Sequence, residues 1–169
     1  MWRLSFHDTM NTTTTPEGAV NVPRKPEDDL PRVVALSNRG DHEGEPRPED
    51  PFVSMSPVDL RALAAAHRAA FGATEWPEEV LLNKPYLGSQ EVIDSGKAFE
   101  DARDAATAAG VRVGAVQAEF LREFLLGPEA TAQLHRPGTD WPALDHGHTD
   151  AIARACRAAW DTFRGSVGG

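Results

Sequence analysis

Two histidines and three aspartates crowd into TDWPALDHGHTDAIARAC, Thr139 to Cys156, and its last residue is the only cysteine in the chain. Imidazole and carboxylate groups that converge within a few ångströms hold divalent metals or exchange protons, so these residues raise metal and acid–base chemistry first. In a helix beginning near Pro142, side chains meet only at spacings of three or four. His146 and His148, two apart, then point in opposite directions: His146 outward with Asp150, His148 inward with Ile152, Cys156 and Trp160. Asp145 and His148 are three apart and could share an ion, with the distant His67 or His135 completing the set. Nothing here matches a zinc-protease spacing, and a core histidine bonded to a neighbour is the plainer reading of His148.

Cys156 would be a nucleophile only with a lowered pKa and partial exposure. Mid-helix among Ile152, Ala155, Ala159 and Trp160, it is expected to be buried and inert. Phosphate-binding glycine loops and the GxSxG elbow are absent from the sequence, so no cofactor is expected and the balance is against an enzyme. Arg39-Gly40-Asp41 spells an adhesion tripeptide too short to carry weight.

The elements that would position these residues read as helices from Ser54 onward. Ser56 is the expected N-cap of a helix with Pro57 at its first position, Leu60, Leu63, His67 and Phe71 on one face, and Gly72 as its stop. A short helix from Pro77 precedes the loop NKPYLG, whose Lys84 and Tyr86 offer either a contact surface or an aromatic that packs down. SQEVIDSGKAFEDARDAATAAG shows helical spacing, with Gly96 a candidate break. VRVGAVQAEFLREFLLGP follows as another helix, with Val113, Val116, Phe120 and Phe124 on one side. One or two turns after Pro128 and a last helix from about Pro142 to Arg164 complete the series. Trp76 and Trp141 each precede a helix-starting proline and are expected to fold back onto the core.

ARDAATAAGVRVGAVQAEFL, with Ala106, a turn at Ala109-Gly110-Val111, Val116 and Phe120, resembles a helix-turn-helix. That resemblance implies a DNA-binding hairpin at about 99–124, with Arg112 and Gln117 as contacts. The would-be recognition helix carries few cations. A net charge of -9 repels nucleic acid and anionic membrane alike, so both are disfavoured as partners.

Residues 1–53 differ in composition, with Thr12–Thr15, prolines 16, 23, 26, 31, 46, 48 and 51, and the acidic run GDHEGEPRPED. So little apolar surface predicts disorder, with Leu30–Leu36 read first as a floppy apolar patch and second as an isolated strand or docking motif. The extension before Met10 looks unlike the threonine-led stretch after it, and either Met1 or Met10 could be the start. The alanine- and arginine-rich composition suggests a high-GC bacterial gene. One cysteine, no apolar leader at the N-terminus and no apolar run of membrane length suggest a reducing cytoplasm.

The expected architecture is therefore all-α: a bundle of five or six helices at 54–169 behind a disordered acidic, Pro/Thr-rich tail at 1–53. The functional expectation is a non-enzymatic adaptor or regulatory protein that binds another protein, since a tail can carry docking motifs and a helix groove can receive an apolar face. DNA binding ranks second and a metal-dependent enzyme using Asp145 and His148 third. Oligomeric state stays open.

Overall fold

In a computed structural model, which describes residues 1–11, 13–15, 18–20, 25–136, 138 and 140–167, the chain is mixed α/β and not an all-α bundle. Thr12, Pro16 and Pro23 of the expected tail, and Thr139 of the last expected helix start, lie outside the described residues.

Four strands form one mixed sheet in the order β1 (Trp2–Thr9), β6 (Gly114–Leu121), β4 (Val34–Ser37), β5 (Val80–Leu82). A separate hairpin joins β2 (Thr13–Thr15) to β3 (Gly18–Val20). Strand β6 runs parallel to β1 and antiparallel to β4, while β4 and β5 are parallel and joined through α1 (Pro57–Ala70). Helix α2 (Gln90–Ala108) links β5 to β6, and α3 (Arg122–Leu134) and α4 (His146–Val167) close the chain.

Two strands of the four-stranded sheet, β1 and β4, and both strands of the hairpin come from the expected tail. WRLSFHDT alternates apolar Trp2, Leu4 and Phe6 with polar Arg3, Ser5 and His7, the period-two pattern of a strand with one face turned to a core. Leu30–Leu36, expected first as a floppy apolar patch, instead supplies most of β4, whose four residues are all buried and which pairs with β5 and β6. The helix expected over Gly114–Leu121 is β6, also nearly buried throughout. Its register places Val116, Ala118 and Phe120 on the face of Leu4, Leu36 and Val34, and Ala115, Gln117 and Glu119 on the other.

Helices α1 and α4 cover the first of these faces. Leu60, Leu63, Ala64 and His67 of α1 and Ala159 and Phe163 of α4 are buried against Leu36, Val116, Ala118 and Phe120. Each fully buried leucine or phenylalanine there contributes roughly 1.5–3 kcal/mol of transfer free energy. Aromatic rings pack across and within the layers: Trp2 of β1 and Phe163 of α4 have centroids 5.0 Å apart, Trp160 and Phe163, both of α4, 5.5 Å, and Phe71 and Phe124 5.8 Å.

Helix α1 begins as its sequence directs. Ser56 Oγ accepts from the Asp59 N–H at 3.2 Å and donates to Asp59 Oδ2 at 2.9 Å. The helix expected to end at Gly110 is α2, whereas other helix expectations need correction. Pro77–Glu79 makes only a 3-10 turn, and α4 starts at His146, not at Pro142. Trp76 and Trp141 do not fold back; they are 53% and 67% exposed. Gly96 does not split α2. It is a point of contact, because a β-carbon there would lie 2.6 Å from Ser54 Cβ and 2.8 Å from Ser54 Cα.

The acidic, proline-rich run after β4 is an ordered loop held by polar bonds in place of apolar burial. Asp41 Oδ1 accepts from the N–H groups of Glu43 and Glu45 at 2.8 and 2.9 Å, bonds that hold its carboxyl below the ordinary 3.8, Glu43 contributing most. Asp50 Oδ2 accepts from Arg39 at 2.9 Å and from Arg47 at 3.2 Å. Among the described residues no helix is long and apolar enough to cross a membrane.

Candidate functional site

Strand β1 is an edge of the sheet. Its backbone pairs on one side with β6 along its whole length, and among the described residues no strand pairs with the other side. An edge of this kind presents a row of N–H and C=O groups able to pair with another chain. The pleat turns Trp2, Leu4 and Phe6 toward α4, where Cys156 and Trp160 stand at i,i+4 on the helix face beside them. Together with Arg157 and Arg164 these residues line a groove of about 410 Å³. Phe6 stacks over Phe120 at a centroid distance of 6.0 Å, yet 58% of it remains exposed. Apolar floor and free backbone edge thus lie side by side.

Burial raises the Cys156 thiol above its ordinary 9.0, so the thiolate is scarce at neutral pH. Arg164 meets Asp161 on its own helix, whereas Arg157 has no ion-pair partner among the described residues.

The opposite face of β1 is polar. Ser5 Oγ and His7 Nε2 lie 2.9 Å apart, a serine–imidazole pair of the sort that nucleophilic catalysis uses. Among the described residues no hydrogen bond to the second ring nitrogen orients His7 as such chemistry needs. Beside it, Glu119 is only 4% exposed and is satisfied by neutral donors, Thr9 Oγ1 at 2.5 Å and Gln117 Nε2 at 2.8 Å. Gln117 Oε1 in turn accepts from the Ser89 N–H at 2.7 Å, tying the start of α2 to the sheet. This chain of bonds is a strut between layers.

The residues singled out for metal chemistry have local partners. Asp145 Oδ1 accepts from the His148 N–H at 3.0 Å and so caps the start of α4, while His148 Nε2 contacts the Phe124 carbonyl at 2.8 Å. Both line a cleft of about 450 Å³ with Gly127, Glu129 and Gln133. His67 is buried beneath α4: Nδ1 meets the Leu63 carbonyl at 2.9 Å, and the ring lies 6.2 Å from Phe71 and 6.5 Å from Trp160, centroid to centroid. His135 caps the C-terminus of α3. His146 and Asp150 stand exposed on α4, as helical spacing implies. Among the described residues no three His, Cys, Asp or Glu side chains gather into a metal set.

The pair expected to touch DNA is placed differently from a helix-turn-helix. Arg112 precedes β6 and ion-pairs with the buried Asp59, Gln117 is 3% exposed within β6, and a strand occupies the position of the second helix of the expected hairpin at 99–124.

The edge and groove do not stand out in the sequence because residues 2–9 read as part of the tail. The signal was present: WRLSFH alternates strictly, but next to a threonine- and proline-rich stretch it reads as an extension of that stretch. Compared with models of known families, with curated protein sequences and with solved structures, the chain matches none.

Proposed function

We propose that the protein is a non-enzymatic adaptor or regulatory protein that takes an extended segment of a partner protein onto the free edge of β1, in a reducing cytoplasm. The observation that carries this reading is the edge of an eight-residue strand, with which no further strand pairs among the described residues, beside an exposed apolar ring, Phe6, and an apolar-floored groove. Strand addition uses both parts: backbone hydrogen bonds supply affinity, and alternate side chains entering a groove supply selectivity. Natural edge strands are usually protected by charge, proline or a covering element, and the groove side of β1 carries Leu4 and Phe6. A lone, half-buried cysteine suits a reducing compartment.

Selection from an unbiased library of displayed peptides on the full chain tests the reading. Peptides that bind wild type and are lost on Phe6→Glu support it. Phe6 is largely exposed, so the substitution leaves the core in place. If selection yields no peptide, or only peptides that bind Phe6→Glu equally well, the edge is not a binding site.

A further inference from the structure

Resting on that reading, we infer that the segment received by β1 is acidic as well as extended, with carboxylates that engage Arg157 and Arg164 and apolar side chains that enter the groove between them. The argument is one of charge complementarity. In a chain of net charge -9, with 26 acidic residues against 17 basic ones, the groove beside β1 is lined, among the described residues, by two arginines and no carboxylate. Arg157 and Arg164 are seven residues apart, two turns along one face of α4, or roughly 10 Å. Trp160 stands between them, so the cations flank an aromatic floor. The nearest acids on these two elements are already engaged: Asp161 with Arg164, and Asp8, toward the far end of β1, with Arg122. Both are exposed pairs, which constrain an arginine weakly. Arg157 has no such pair among the described residues.

A second copy of this chain is the obvious competitor, because two edges of β1 could join. Each copy would bring the same two arginines and the same net negative charge to the contact, and an isologous interface gains no opposite-charge pairing from that lining. A basic segment would meet Arg157 and Arg164 directly. An acidic partner strand meets neither obstacle within the groove.

The test uses the full chain and labelled synthetic peptides of five residues, with threonine at the even positions, valine at the third, and either glutamate or lysine at both ends, about 14 Å apart in an extended strand. Fluorescence anisotropy should show the glutamate-ended peptide binding at least about tenfold more tightly than the lysine-ended one, with affinity falling as salt rises. The double variant Arg157→Glu/Arg164→Glu should reverse the preference, and Phe6→Glu should weaken both peptides. Equal binding of the two peptides, still lost on Phe6→Glu, overturns the acidic assignment while leaving the edge as a binding site. Failure of both peptides to bind, or binding that ignores Phe6→Glu, removes both. Sedimentation velocity on the peptide-free protein should show a monomer; a dimer dissociated by Phe6→Glu would make a second copy the occupant and likewise overturn the acidic assignment.

Discussion

Asn38 and Asn83 hold each other across the ends of β4 and β5. The Asn38 N–H donates to Asn83 Oδ1, and Asn83 Nδ2 donates to Asn38 Oδ1, each at 2.9 Å. The same two side chains fasten the loops that follow both strands. Asn38 Nδ2 donates to the carbonyls of Gly44 and Met55, its Oδ1 accepts from the Gly40 N–H, and Asn83 Nδ2 reaches the Asp41 carbonyl. Asn83 sits at φ 51, in the left-handed region that asparagine tolerates better than most residues.

Asn38 is fully buried, so Asn38→Ala should strand several backbone groups away from water and cost about 3 kcal/mol. For a chain of this size that lowers Tm by about 6–12 °C. The exposed Glu49, bonded among the described residues only to Arg47, serves as control: Glu49→Ala should change stability by less than about 0.5 kcal/mol. Chemical denaturation of the two variants checks both figures, and an Asn38→Ala protein as stable as wild type would contradict the clasp.

His67 should make stability fall in mild acid. Burial pushes its pKa below the ordinary 6.5, and the hydrogen bond to the Leu63 carbonyl opposes that only in part. The unfolded chain therefore takes up a proton near pH 6.5 that the folded chain resists, and unfolding is favoured as pH drops through that value. The stability associated with neutral His67 is complete above pH 6.5 and declines progressively below it, toward the lowered folded value. His67→Gln should flatten this part of the profile. Thermal melts of both proteins between pH 7.5 and 5.5 make the comparison, and parallel profiles would show that His67 is not the group responsible.

Gly96→Ala should destabilise by about 1–3 kcal/mol although alanine is the better helix former. The added methyl would sit 2.6 Å from Ser54 Cβ and 2.8 Å from Phe52 Cζ, and the Ser54 backbone cannot withdraw without disturbing its bonds to Asn38 and Ala115. Gly110→Ala meets no atom within 4 Å but sits at φ 68, so its cost is backbone strain alone, about 1 kcal/mol. Urea denaturation of the two variants should rank Gly96→Ala as the more damaging.

Cys156 offers a direct readout of the groove. Its raised pKa and partial burial predict slow reaction with a thiol reagent at neutral pH, accelerating as pH climbs toward and past 9. Since the residue lines the groove beside Leu4 and Trp160, saturation with a bound peptide should slow labelling further. Mass spectrometry of timed samples with and without peptide would show it; identical rates would place the peptide elsewhere.

The capping of α1 by Ser56, the stop near Gly72 and the outward set of His146 and Asp150 were legible in the sequence, because each follows from local geometry within one helix; Cys156, expected to be buried, is only half-buried because it lines the groove. Strand β6 was not. GAVQAEFL is rich in alanine, glutamine and glutamate, good helix formers, and its apolar residues fit either period; burial between β1 and β4 makes it a strand. The loop from Asn38 to Pro51 escapes a compositional reading for a different reason. Composition scores apolar surface, whereas this segment is ordered by carboxylate and amide groups bonding to backbone, some of it distant in sequence.

By itself, then, the sequence determined the helix caps, the net charge and the division of His146 from His148, all consequences of neighbours a few residues apart or of composition alone. The tertiary structure alone decided that Asp145 caps a helix, that Glu119 is buried among neutral donors, and that Trp2, Leu4 and Phe6 meet Cys156 and Trp160 across a groove. Those relations join residues more than a hundred positions apart or turn on where a helix starts and which face of a strand is covered, and only the pairing of β1 with β6 and the packing of α4 fix them.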